Sequence, residues 1–153
     1  MKILMPLLLA FLASGCTAEK PLSLRDLERL EDKEAKAEFT RLPIDVQIDI
    51  VSWELKNRRP ASSRFDYLLA SNGQRARLPL LEEAGSTDSL DVNVTMLMAY
   101  SSIADKEPSY DREVALGLKR CRDLARGRTS ECFRLERELG GTQVDILSRA
   151  KKR

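Results

Sequence analysis

The chain has 153 residues, one domain's length, enough for a modest core. Its 26 basic and 24 acidic residues nearly balance, leaving a formal net charge of +2, and aromatic residues make up only 5%. There is no histidine, which excludes Ser-His-Asp and Cys-His catalysis, histidine acid/base chemistry and the usual zinc ligand sets, and leaves carboxylate or lysine chemistry open.

Met1 to Phe11 has the layout of a secretion signal. Lys2 is the positive start, and Ile3 to Leu12 is an apolar run broken by Pro6. A run of about ten residues is too short to span a hydrocarbon core of about 30 Å. No second long apolar run follows. The signal ends in Leu12-Ala13-Ser14-Gly15-Cys16. This pentapeptide resembles the lipobox of bacterial lipoproteins. Ser14 and Gly15 suit the two positions before the cysteine. Ala13 stands where the family usually has leucine, which here lies one place further out, at Leu12. The resemblance implies that residues 1–15 are removed as a signal peptide and that the Cys16 thiol carries diacylglycerol. Thr17, where Asp would often mark inner-membrane retention, implies the outer membrane, facing the periplasm. Several acyl chains, at about 0.8 kcal/mol per buried methylene, hold stably. The alternative is an ordinary cleaved signal with a chance cysteine.

Residues 16–22 read as a tether and 23–42 as a charged helical spacer. Ser23 is the expected N-cap, with Asp26 as its capping-box partner and Leu22 and Leu27 in staple positions. Leu24, Leu27 and Leu30 share a face, but Glu31 to Glu38 has almost nothing apolar, so this stretch is expected to be solvated. A helical domain is expected over 43–148, with a basic tail at 149–153.

Ile44 to Asn57 carries two patterns. Ile44, Val46, Ile48 and Ile50 alternate as in a half-buried strand. Ile44, Ile48, Val51 and Leu55 also form a helical stripe, and Val46, Ile50 and Trp53 a second one. The length of fourteen residues, Leu42-Pro43 before it and Arg58-Arg59-Pro60 after it favour a helix packed on two sides. Ser62 or Ser63 is expected to cap a short helix with Phe65, Leu68 and Leu69, ended by Asn72-Gly73. Leu78, Leu81 and Ala84 form the next stripe, with Pro79 in its first turn and Gly85 at its end. Asp88 and Asp91 open an apolar helix whose stripes are Leu90, Val94 and Leu97, and Val92, Met96, Ala99 and Ile103. A helix apolar on most sides is central in a core. Its methionines read as gap fillers, and Asn93-Val94-Thr95 as a glycosylation sequon in spelling only.

Pro108-Ser109 opens a helix striped with Val114, Leu118, Cys121 and Ala125. Gly127 marks a turn, and Thr129 caps a helix lined by Cys132, Leu135 and Leu139. In an antiparallel hairpin the two cysteines face one another. With Cys16 taken by lipid, an oxidising periplasm and the even remainder favour a Cys121–Cys132 disulfide over two buried thiols or a redox pair. Gly140-Gly141 ends the hairpin, and a short helix near Val144 to Leu147 follows.

The helices pair in order, 43–58 with 63–71, 75–84 with 88–104 and 110–126 with 129–139. The fold expected is therefore all-α, a short stack of antiparallel helical hairpins. Its rhythm, notably Leu78-Pro79-Leu80-Leu81 followed by Asp91-Val92-Asn93-Val94, resembles HEAT-type α-solenoid repeats; an irregular helical bundle is the competing architecture. Asp45 and Asp49 lie one turn apart, with Lys56 two turns beyond Asp49, a spacing open to acid/base work or cation binding but better read as a polar strip. There is no P-loop, GxGxxG, GxSxG or EF-hand pattern. Arg120, Arg122, Arg126, Arg128, Arg134 and Arg137 form a candidate binding surface for an acidic protein, anionic lipid or cell-wall polymer, if it is more than a solvated face. Nucleic acid does not suit the compartment, and no aromatic residues interleave for stacking. These features point to a lipid-anchored adaptor that binds an envelope protein, without catalysis, metal or cofactor. The alternatives are an immunity lipoprotein that neutralises a secreted antibacterial toxin, and an enzyme using carboxylates.

Overall fold

A computed structural model of the chain describes residues 21–103, 111–126 and 130–139. The signal and lipobox through Cys16, the helix start at Pro108-Ser109, Gly127 to Thr129 and everything from Gly140 onward, including the expected short helix and basic tail, lie outside these residues. Among the described residues every regular element is helical. In order they are α1 (Leu22–Leu27), α2 (Asp32–Phe39), α3 (Ile44–Asn57), a 3-10 segment (Asp66–Ala76), α4 (Arg77–Ser86), α5 (Leu90–Ile103), α6 (Asp111–Ala125) and α7 (130–139). None of the described helices is long and apolar enough to cross a membrane.

The doubly patterned stretch is a helix over its full length, and both stripes are used. Ile48, Val51 and Leu55 are buried on one, Ile50 on the other, with Ile44, Val46 and Trp53 partly buried against the same core. Pro43 stands at its N-cap with extended backbone, and Arg58 leaves the helix in an extended conformation.

The stretch 23–42 is not a solvated spacer. It breaks into α1 and α2, and Leu24, Leu27, Ala35 and Phe39 are fully or almost fully buried in the common core. Ala35 and Phe39 lie one turn apart, so two apolar residues suffice to give the charged α2 a buried face. The Phe39 ring stacks on Phe65, centroids 4.5 Å apart and planes 6° from parallel. The Arg64 guanidinium lies over the other partner of that pair, 4.6 Å from the Phe65 centroid, and its Nη2 donates to the Leu27 carbonyl at 3.1 Å. Burial of a large apolar side chain is worth about 1.5–3 kcal/mol, against about 0–1 for an exposed ion pair such as Lys36–Asp32. Apolar contact therefore docks these helices, despite their charge. The capping box does not form: α1 begins at Leu22, with Pro21 at the N-cap, and Ser23 lies inside the helix.

The second expected helix is the 3-10 segment instead. Ser63 still works at its start, accepting from the Phe65 N–H at 3.1 Å and donating to Glu54 Oε2 at 2.6 Å. Gly73 has φ 57° and ψ −138°, a combination outside the left-handed helical region and open essentially to glycine alone. A Cβ there would meet nothing within 4 Å, so the requirement is conformational and not steric. The segment is fixed to α3 by a reciprocal amide pair. Asn72 Nδ2 donates to Gln47 Oε1 at 2.9 Å, and Gln47 Nε2 reaches Asn72 Oδ1 at 3.4 Å and the Leu42 carbonyl at 2.8 Å.

In α4 Leu81 and Ala84 are buried as expected, but Leu78 is 40% exposed and Leu80 takes its place inside. The helix runs through Gly85 and ends at Ser86. At the start of α5, Ser89 Oγ accepts from the Val92 N–H. Val92, Met96, Leu97, Ala99 and Tyr100 are buried along it, as befits a central helix.

α4 packs most extensively on α6 and α5, and α5 also lies against the 3-10 segment. α3, α4 and α6 thus make one layer, and the 3-10 segment and α5 the other. This order suits a hairpin stack or an irregular bundle. It does not single out HEAT repeats, because the first pair closes with a 3-10 segment and α1 and α2 add to its side.

One side chain joins the layers. Asn93 of α5 has no exposed surface, and its Nδ2 donates to the Ala84 carbonyl of α4 at 2.6 Å and the Gly117 carbonyl of α6 at 3.0 Å. Gly117 permits this approach: a Cβ there would stand 2.9 Å from Leu97 Cδ2 and 3.5 Å from Ala84 Cβ. Asn93→Ala is expected to lower stability by about 2–3 kcal/mol in urea unfolding, through two lost bonds to buried carbonyls and the space left behind.

Candidate interaction surfaces

The C-terminal hairpin follows its sequence pattern closely. Val114, Leu118, Cys121 and Ala125 line the buried side of α6, and Cys132 and Leu135 that of α7. Cys121 and Cys132 are joined in a disulfide, with Cα atoms 5.8 Å apart. α6 ends at Ala125, and Arg126 after it takes a positive φ of 40°.

The six candidate arginines do not act as one face. Arg120 is half-buried, and its Nε donates to the Thr87 carbonyl at 2.6 Å, tying α6 to the α4–α5 connection. Arg122 pairs across the hairpin, Nε to Glu136 Oε1 at 3.1 Å. Arg134 Nη2 reaches the Met98 sulfur at 3.7 Å, which sets α7 beside α5. Arg126 and Arg137 are exposed and make no ion pair among the described residues. Arg128 lies outside them. A charge change at Arg122 therefore disturbs the hairpin itself, and only part of the arginine set is surface cation. Beside it stands a feature that charge counting missed: Phe133 is 58% exposed, one turn before Arg137 on the same side of α7.

Carboxylates gather along α3 and α4. Asp45 and Asp49, exposed on α3, line a groove of about 230 Å³ with Glu82 and Glu83 of α4. Glu82 and Ser86 also line a neighbouring groove of about 330 Å³, whose apolar walls are Leu78 and Leu81 of α4 and Leu116 of α6, with Glu113 and Arg112 at its edge. Glu83 is engaged, accepting from Ser52 at 3.0 Å. Asp45, Asp49, Glu82 and Glu113 have no cation partner among the described residues. Burial first, and the neighbouring Asp45 charge second, push the Asp49 carboxyl above the ordinary carboxylate value. Lys56 does not relieve it; it pairs with Asp88 at 3.0 Å and holds that carboxyl below its usual value.

Glu54, a third carboxylate of α3, is elsewhere. It is fully buried at the end of α3, paired with Arg58 at 2.6 Å and bonded by Ser63. Arg58 also reaches Glu28 at 3.5 Å, so this trio holds the loop after α3 and the connection after α1. The described residues contain no group of three or more Asp, Glu, Cys or His placed to hold a metal ion. A third groove, about 300 Å³, lies between the 3-10 segment and α5, with Tyr67 and Met98 exposed in its walls.

No protein-family model matches the chain, and no curated protein or solved structure is similar enough to carry a fold or an activity across to it.

Two expectations follow. Replacing both cysteines, Cys121→Ala/Cys132→Ala, releases a short covalent loop in the unfolded chain and should cost about 2–5 kcal/mol in denaturant melts. Asp49 binds its proton more readily folded than unfolded, so its charge opposes folding at neutral pH, and this penalty vanishes as pH falls below the ordinary carboxylate range. Asp49→Asn should raise the melting temperature at pH 7 and leave it nearly unchanged at pH 3.

Proposed function

We propose that the chain is a lipid-anchored protein of the bacterial envelope, held at the periplasmic face of the outer membrane through Cys16, whose helical domain binds another protein and catalyses nothing. The observation that carries the binding role is the set of large apolar side chains left at the surface. Leu78 and Leu116 wall one groove and Tyr67 and Met98 another, and Phe133 stands out from α7. Apolar side chains gathered at grooves and flanked by charge are what an interaction surface needs, since the apolar contacts supply affinity and the charges orientation. The anchor rests on the lipobox-like run at Leu12 to Cys16. Histidine's absence removes the commonest catalytic sets, and the carboxylates lie apart: Asp45 and Asp49 outside, Glu54 inside.

The binding role is tested by in-cell crosslinking, comparing the natural chain with Leu78→Ser/Leu116→Ser and Tyr67→Ser/Met98→Ser. Loss of a crosslinked partner with one of these pairs and not the other places the surface; an unchanged crosslink pattern with both overturns it. A secreted toxin as the partner would make the chain an immunity protein. For the anchor, Cys16→Ser should abolish incorporation of radiolabelled palmitate. Label that still enters the variant chain would disprove acylation at this residue.

A further inference from the structure

The last described helix is held differently from the helix before it. α7 spans ten residues, 130–139. Isolated helices shorter than about 12–15 residues are marginal in water, so a helix of this length persists by docking. Its fully or almost fully buried side chains are Cys132 and Leu135, and Leu139 is partly buried against the same core. One of these, Cys132, is half of the disulfide to Cys121. Phe133, the largest apolar side chain of α7, is left outside. The polar ties are slight. Arg122 and Glu136 pair across the hairpin with side chains 59% and 28% exposed, and Arg134 reaches only a thioether sulfur on α5, a weak acceptor. α6, by contrast, is fixed to α4 and α5 without α7: its Gly117 carbonyl accepts from Asn93, and Arg120 donates to the Thr87 carbonyl.

Burial of one leucine and part of another does not offset the freedom lost in ordering ten residues. The disulfide makes up the difference, because it confines the chain between Cys121 and Cys132 in a short loop before α7 docks.

We propose that α7 is a redox-conditional element, docked while Cys121 and Cys132 are joined and released when they are reduced, with α3 to α6 still folded. This rests on reading the domain as a binding module and names a regulation of its surface. When α7 leaves, Phe133 goes with it, and Arg134 parts from Met98, a wall of the groove that holds Tyr67. Glu131 also leaves an adjoining groove of about 280 Å³, which it lines together with Asp66 and Asp91. The reduced chain therefore presents a different surface along α5, and a partner that reads this side engages the oxidised chain. In the switching step a dithiol supplies two electrons and two protons: the Cys121–Cys132 bond breaks to two thiols, and the dithiol closes to its own disulfide. Both sulfurs belong to residues with almost no exposed surface, so the attacking thiolate reaches them only after α7 has opened locally.

The test is hydrogen exchange read by mass spectrometry on the full chain, oxidised and then reduced with dithiothreitol. Reduction should speed exchange of the 130–139 amides about a hundredfold, the effect of freeing a short covalent loop, while the amides of α4 and α5 keep their protection. Cys121→Ala/Cys132→Ala without reductant should behave as the reduced chain does. Leu135→Ala, with the disulfide intact, loosens what shields the sulfurs and should speed their reduction about tenfold or more. Protection of 130–139 that survives reduction overturns the proposal. So does loss of protection in α4 and α5 together with α7, which would make the disulfide a staple of the whole domain, and so does an unchanged reduction rate in Leu135→Ala. None of these readouts involves a partner, so failure here leaves the binding role to its crosslinking test, and failure of that test leaves the switch standing.

Discussion

Three helices meet at Asn93, and the packing of both layers depends on how closely they meet there. A buried amide spans the Ala84 and Gly117 carbonyls, so α5 is bonded to α4 and α6 at one level. Glycine at 117 suits that geometry, because a Cβ there would press on the Leu97 side chain and make it shift. Small residues at the crossing of α4 and α6 bring the backbones together, and the amide then finds acceptors that a wider crossing would put out of reach. Hydrogen bonds add direction to a junction whose attraction is otherwise non-directional burial. The position of the α4–α6 groove follows from this: with the backbones so close, Leu78 and Leu116 are left at the outer edge of the contact.

The N-terminal half is joined to this centre by a different means. Phe39 stacks on Phe65, Arg64 covers the ring and reaches a carbonyl at the end of α1, and Arg58 links the buried Glu54 to Glu28. Each of these contacts involves residues 58–65, which connect α3 to the 3-10 segment. That connection is therefore the seat on which α1 and α2 rest. The first helices are therefore part of the folded body and not a spacer ahead of it.

Carboxylates of α3, α4 and α6 collect around two adjoining grooves. The candidate arginines stand on α6 and α7 among acidic neighbours, with Glu131, Glu136 and Glu138 on α7 alone. The arginines divide further by role. Arg120 and Arg122 are committed to holding the hairpin in place, while Arg126 and Arg137 make no ion pair among the described residues.

The sequence by itself determined the helical class, the full extent of α3, the buried stripes of α5 and α6, and the facing positions of Cys121 and Cys132. Each follows from the spacing of apolar residues within one helix or one hairpin, and spacing is written locally. The burial of α2 was not legible: two apolar residues among charges look like spacer until Phe65 is brought beneath Phe39 by a connection some 25 residues later. Leu78 and Leu80 could not be told apart either, since which side of α4 is inside depends on where α6 crosses. Asn93, spelled as a glycosylation sequon, has a role only because two carbonyls from other helices arrive at its side chain. The arginine cluster was visible as composition, but its division into committed and open cations required Thr87, Met98 and Glu136, which only the packing of one helix on another supplies.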